Sequence, residues 1–136
     1  MHHTNTDPPG RESTEPHTPT RVLVTGASRG LGRALALQWV REGAHVVAVA
    51  RGQADLAQLQ TAAKDAPGTL HTVEADVGAR DASTALAARA LELLGGVDVL
   101  MHNASTLGPV PMPELGDLDP SALAHVFQVN VLGPQR

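Results

Sequence analysis

The chain has 136 residues, 42% of them hydrophobic, enough for one domain with a sizeable core, and a formal net charge of -4. That charge leaves no basic footprint for nucleic acid or an anionic membrane surface, and the lack of cysteine excludes a disulfide framework and thiolate metal sites. No apolar run approaches the length of a membrane span, and the first residues lack the apolar centre of a secretory signal, so the expected location is the cytoplasm.

Residues 1–20 read as a disordered tail, with Pro8, Pro9, Pro16 and Pro19 and no aliphatic residue after Met1. Such a stretch cannot bury enough apolar surface to offset the entropy of ordering. Nothing in it organises His2, His3 and His17, so no metal site is expected. The domain is expected over residues 21–136.

Residues 21–25 form the first expected strand, apolar enough to be buried on both faces. Thr25-Gly26-Ala27-Ser28-Arg29-Gly30-Leu31-Gly32 follows, and then an apolar-periodic helix with Leu31, Leu35 and Trp39 on one face. A glycine trio alone is weak evidence, because glycine is a routine turn residue. Between a strand and a helix it gains meaning. The turn must bend sharply and let backbone N–H groups approach an anion. A side chain at Gly26 or Gly30 is expected to obstruct that approach, and one at Gly32 to hold the helix off the sheet. The helix start adds free donors and a positive dipole end. The expected ligand is the pyrophosphate of a dinucleotide.

Glu42-Gly43 ends this helix, and residues 44–50 are a second apolar strand. Strand, helix and strand at this spacing imply a parallel crossover. Ala50 stands at the strand end, where an acid would take the adenosine ribose hydroxyls of NAD, and Arg51 follows it. Arg51 can pair with a 2′-phosphate in bidentate fashion, and Arg29 can reach the same group from the glycine turn. The residues therefore favour NADP over NAD, against the plainer reading of two ordinary surface arginines.

Residues 53–64 read as a helix with Leu56, Leu59 and Ala63 on one face, broken by Pro67-Gly68. Residues 69–75 are a third strand, closed by Asp76 and Val77. An Asp just past the carboxyl end of such a strand faces the ligand crevice, where it can accept from an adenine amino group; the alternative is a turn or helix-cap Asp. A third helix spans residues 81–94 with Ala85, Ala88, Leu91 and Leu94 at helical spacing. Residues 97–101 are a fourth strand leading into His102-Asn103-Ala104-Ser105, small polar residues suited to lining a ribose or nicotinamide site, or else an Asx-type turn. A proline-rich loop covers residues 107–118. Asp119-Pro120 then starts a helix through Leu123 and Phe127, with Asn130 on its expected buried face.

These pieces together resemble the N-terminal half of a short-chain dehydrogenase/reductase. The resemblance rests on the glycine turn, Asp76-Val77, His102-Asn103-Ala104-Ser105 and Val129-Asn130-Val131, and covers residues 21–136. It implies an α/β fold, a Rossmann-type doubly wound parallel sheet of about four strands in the order 3-2-1-4, incomplete. The cofactor-binding residues implied are Thr25, Gly26, Ser28, Arg29, Gly30, Leu31, Gly32, Arg51, Asp76, Val77, Asn103 and Ala104. Asn130 matches the helix asparagine of the family's catalytic tetrad, where it supports a water in the proton relay. The family's usual stretch after the fourth strand is Asn-Asn-Ala-Gly, so His102 and Ser105 depart from it.

The tetrad's Ser, Tyr and Lys have no counterpart. There is no tyrosine, and the one lysine is Lys64 on an early helix. The family's Lys lowers the Tyr pKa so that it exchanges a proton near neutral pH. The chain is therefore expected to be a truncated cofactor half, inactive alone. Its full-length parent is expected to act on a small-molecule carbonyl or alcohol with NADPH and to be a homo-oligomer. The alternatives are a non-catalytic nucleotide-binding module or a structural subunit completed by another chain. A methyltransferase using S-adenosylmethionine is a weaker third reading, since it usually wants an acid where Ala50-Arg51 stand.

Overall fold

The computed structural model describes residues 18–136. The tail reading of residues 1–17, with His2, His3 and His17, lies outside them. Thr20 belongs with the sheet rather than with the tail: its carbonyl accepts the His45 amide at 2.9 Å.

Four strands form one parallel sheet in the order β3-β2-β1-β4: β1 (Arg21–Thr25), β2 (His45–Ala50), β3 (Thr69–Glu74) and β4 (Val99–Met101). The expected order is the observed one. In register, Val24 lies beside Ala48 on one side and Met101 on the other, and Ala50 lies beside Glu74. The carboxyl ends of the strands therefore gather along one edge, where open parallel sheets take their ligands.

Alternate residues of the strands feed two apolar layers, as a strand buried on both faces must. Val22, Val24, Val46 and Ala48 pack with Ala36, Leu37 and Val40 of α1 (Gly30–Arg41) and Leu59 and Ala63 of α2 (Gln53–Ala63). Leu23, Val47 and Val49 pack with Leu86 and Ala90 of α3 (Ala82–Leu94). Helices thus cover both faces of the sheet. The α2 face of Leu56, Leu59 and Ala63 is buried as expected.

The other helix faces need correction. In α1 the buried set is Gly32, Ala36, Leu37 and Val40, while Leu31 is 66% exposed. Leu31 sits in the first turn, beyond the end of the sheet, so it has no strand to cover. In α3 the buried pair is Leu86 and Ala90, and Leu91 is exposed. An alanine-rich helix offers two plausible stripes, and periodicity alone selected the outer one.

At the opposite edge of the sheet, Arg21 and Asp98 join the start of β1 to the residue before β4. The Arg21 Nε and Nη2 donate to Asp98 Oδ2 and Oδ1 at 3.0 and 2.7 Å, and the Arg21 backbone amide donates to Oδ2 at 2.8 Å. These hydrogen bonds and the guanidinium charge hold the Asp98 carboxyl down at about 2.

The segment after β4 leads to α4 (Pro120–Phe127). Its cap is the expected one: Asp119 Oδ1 accepts the Ser121 amide at 2.9 Å, with Pro120 at the first helical position. The helix then widens into a π-helical turn, Gln128–Leu132, and a last turn, Gly133–Gln135.

Candidate functional site

The glycine turn lies at the corner between β1 and α1, at the carboxyl edge of the sheet. Gly26 and Gly30 have φ of 68° and 55°, the left-handed region that glycine adopts without strain. Their steric roles differ from those expected. A Cβ on Gly26 would stand 2.8 Å from the Ala104 Cα, against the segment after β4 rather than against a ligand. One on Gly32 would meet the Gly26 carbonyl and the Asn103 amide, so this glycine lets the helix close on the turn itself, not on the sheet. At Gly30 nothing lies within 4 Å, and its requirement is conformational.

Two polar side chains lock this corner. Thr25, 4% exposed, presents its Oγ1 to the backbone amides of Asn103 and Ala104, each at 3.1 Å, and its hydroxyl lies 3.4 Å from the Met101 carbonyl. Asn103 Nδ2 donates to the carbonyls of Thr25 and Gly26 at 3.2 and 3.1 Å. The hydroxyl and the carboxamide satisfy four backbone groups that a sharp turn between two strand ends would otherwise strand.

The remaining backbone donors are available. The Ala27 amide is taken by the Val49 carbonyl at 3.0 Å, but among the described residues the amides of Ser28, Arg29, Gly30, Leu31 and Gly32 have no acceptor. Three of them are first-turn amides of α1, which a helix cannot satisfy internally. They line or adjoin a cleft of about 700 Å³. Five such amides at and just before a helix N-terminus are the kind of donor set that can hold an anion such as phosphate.

The same cleft gathers most of the expected residues. Gly26, Ser28, Arg29, Gly30, Arg51, Asp76, Val77, Asn103 and Ala104 all line it. Thr25, Leu31 and Gly32 do not: Thr25 forms the lock, Leu31 has an unpaired amide among the described residues, and Gly32 packs against the turn. Arg29 and Arg51 are exposed and form no ion pair among the described residues. Asp76 Oδ1 accepts the Gly78 amide at 2.9 Å, which leaves Oδ2 without a partner among the described residues.

Asn130 requires a correction. It is exposed, not buried. The stripe Leu123, Phe127 and Val131 that it shares is exposed as well, while Val129 on another face is 6% exposed. The helix is apolar on several sides, so the period could not say which side faces in. Both ends of the carboxamide are nonetheless engaged: Asn130 Oδ1 accepts the Thr106 amide at 2.8 Å, and Nδ2 donates to the Thr106 carbonyl at 2.9 Å. It clamps the segment after β4 at the rim of the cleft. A π-helical turn is a frequent feature of functional sites.

Ser105, read as lining from the sequence, lies in the cleft, and His102 of the same stretch does not; Asp55, Thr106 and Val129 also line the cleft, and sequence reasoning did not assign them to it. Asp55 was legible as an acid in the first turn after Arg51. Val129 carried no polar signal. Among the described residues no cluster of three or more His, Cys, Asp or Glu could hold a metal, and no helix is long and apolar enough to cross a membrane.

Comparison with known proteins gives a consistent result. The family model for short chain dehydrogenases matches residues 20–136. L-xylulose reductase of Mesocricetus auratus is 44% identical over 111 residues, which is 82% of this chain and 41% of the reductase. The 1-deoxy-11-beta-hydroxypentalenate dehydrogenase of Streptomyces arenae is 39% identical over 116 residues, 84% of this chain and 40% of that protein. A metagenomic short-chain oxidoreductase solved with NADP superimposes with a TM-score of 0.78 at 33% identity, over 86% of this chain and 53% of that one. NADH-dependent reductase A1-R′, solved with NAD, gives the same TM-score at 28% identity, over 86% of this chain and 48% of that one. The chain spans about two-fifths of the length of these curated relatives.

Proposed function

Because the chain belongs to the short-chain dehydrogenase family, we propose that it is the cofactor-binding portion of an NADP-preferring oxidoreductase acting on a small-molecule carbonyl or alcohol. Bound NADPH supplies hydride for carbonyl reduction, and NADP takes it back in the reverse direction. The residues of this chain bind and orient. The free amides of Ser28–Gly32 hold the pyrophosphate at the positive end of α1. Asp76 accepts from the adenine amino group through Oδ2. Asn103 and Thr25 keep the glycine corner closed on Ala104. Asn130 holds Thr106 in place at the cleft rim.

The observation that carries the NADP preference is the end of β2. Ala50 offers no carboxylate to ribose hydroxyls, and Arg51 and Arg29 line one cleft with no ion pair among the described residues. A doubly charged 2′-phosphate gains ion-paired hydrogen bonds there, whereas NAD presents only a neutral hydroxyl. Asp55 lines the same cleft and opposes this in part. The NADP complex of a similar oxidoreductase supports the reading, and the NAD complex of another shows that the fold admits both.

The family's proton exchange with substrate uses a Tyr–Lys pair that this chain does not carry, for it has no tyrosine and its one lysine, Lys64, directly follows α2. The 136-residue chain is therefore a binding module by itself. Calorimetric titration tests the reading: NADP binds about tenfold more tightly than NAD, as one charge-assisted contact implies. Equal or better NAD affinity contradicts it, and turnover of any alcohol or ketone by the purified chain contradicts the assignment as a module.

A further inference from the structure

Two glycines in the cleft region have no part in the phosphate seat. They mark where the loop after β3 meets the turn that follows α4. A Cβ on Gly133 would stand 2.6 Å from the Val77 carbonyl oxygen. A Cβ on Gly78 would stand 2.9 Å from Val129 Cγ2 and 3.2 Å from Asp76 Oδ1. Backbone meets backbone at Gly133, and backbone meets the Val129 side chain at Gly78, with no room for a methyl group at either. Arg136 adds a polar tie, donating to the Ala79 carbonyl at 3.4 Å and to Gln128 Oε1 at 2.9 Å.

We propose that the π-helical turn after α4, with the last turn that Gly133 opens, is a positioning element for the adenine-binding loop, and that Val129 and Gly133 are its working residues. The proposal rests on the dinucleotide reading above. Asp76 is exposed, and the hydrogen bond that fixes its carboxylate is the one from the Gly78 amide. Gly78 is placed by Val129, which is 6% exposed and lines the cleft beside Asp76 and Val77. Val77 is placed by Gly133. The turn thus sets which way Asp76 Oδ1 is held, and with it where Oδ2 is offered. Through Asn130 the same turn grips Thr106 on the other rim. One short element therefore fixes both walls of the cleft relative to each other.

The test compares NADP with its hypoxanthine analogue, in which a carbonyl replaces the 6-amino group, titrated calorimetrically into the wild-type chain, Gly133→Ala and Val129→Ala. Inorganic pyrophosphate serves as a ligand that touches only the glycine turn. The wild type prefers NADP about tenfold, the worth of one hydrogen bond to a carboxylate. Both variants reduce that preference to about twofold or less, while pyrophosphate affinity stays within about twofold of wild type. Val129→Ala relaxes the contact rather than crowding it, so it carries the test if Gly133→Ala does not fold. An unchanged preference in a folded variant overturns the proposal and leaves the cofactor reading standing. Equal loss of pyrophosphate and dinucleotide affinity also overturns it, as a general structural effect. A wild-type chain that binds neither dinucleotide overturns both.

Discussion

Thr25 is where a single atom holds the most of the site together, and Thr25→Val isolates it. Valine keeps the shape of the side chain and removes the hydroxyl. The amides of Asn103 and Ala104, each 3.1 Å from Oγ1, then lose their acceptor. A buried donor left unpaired costs about 1–3 kcal/mol. Asn103 and Ala104 are only half-buried, so water recovers part of that, and the pair is worth about 2–4 kcal/mol together. The bond to the Met101 carbonyl, at 3.4 Å, adds little. Thr25→Ser is the control: it keeps the hydroxyl and removes one methyl from a buried site, at about 1 kcal/mol. Against a typical domain stability of about 5–15 kcal/mol, the difference is measurable. Urea unfolding, followed by circular dichroism and by Trp39 fluorescence, should rank wild type above Ser above Val, with similar slopes. The valine variant should also bind NADP less well, because Asn103 then holds the glycine corner from a looser backbone. A valine variant as stable as the serine one refutes the lock.

Three further outcomes follow from the same geometry. Gly26→Ala forces a Cβ against Ala104 at a φ of 68°, and should destabilise the fold by at least about 2 kcal/mol and abolish cofactor binding in thermal melts and titration. Arg51→Glu should reverse the cofactor preference toward NAD, since the new carboxylate repels a 2′-phosphate and suits ribose hydroxyls; a variant that still prefers NADP contradicts the role of Arg51. Asp98 binds its proton less readily when folded, with its value lowered from 3.8 to about 2 by the Arg21 hydrogen bonds. Its contribution is complete above about pH 4 and is lost as pH falls toward about 2, so Asp98→Asn should flatten acid unfolding in that window.

The strand–turn–helix corner and the Asp119-Pro120 cap were legible because each has a local cause, a glycine conformation and a side-chain cap; the strand order is a tertiary property and was legible only through the family resemblance. Asp76, Arg51 and Asn103 were legible because position at the carboxyl end of a parallel strand restricts what a polar residue can face. The buried sides of α1, α3 and α4 were not. Leu31 completes a perfect helical stripe yet lies beyond the sheet, and whether a stripe meets a strand is a tertiary fact. Along α4 no charge marks an outer side, so Leu123 and Asn130 read as its buried face while Val129 took the inner place. The contacts of Gly78 and Gly133 were invisible for a related reason: they join segments more than 50 residues apart in the sequence, a separation over which no local pattern speaks.

The central claim is that bare main chain at the first β–α corner seats the dinucleotide pyrophosphate. Amide chemical shifts of the isotope-labelled chain, followed during NADP addition, test it most directly. The largest changes should fall on Ser28, Arg29, Gly30, Leu31 and Gly32, with Ala27, already bonded to Val49, moving less. NADP binding that leaves those five amides unmoved, or that shifts residues away from the cleft instead, contradicts the account.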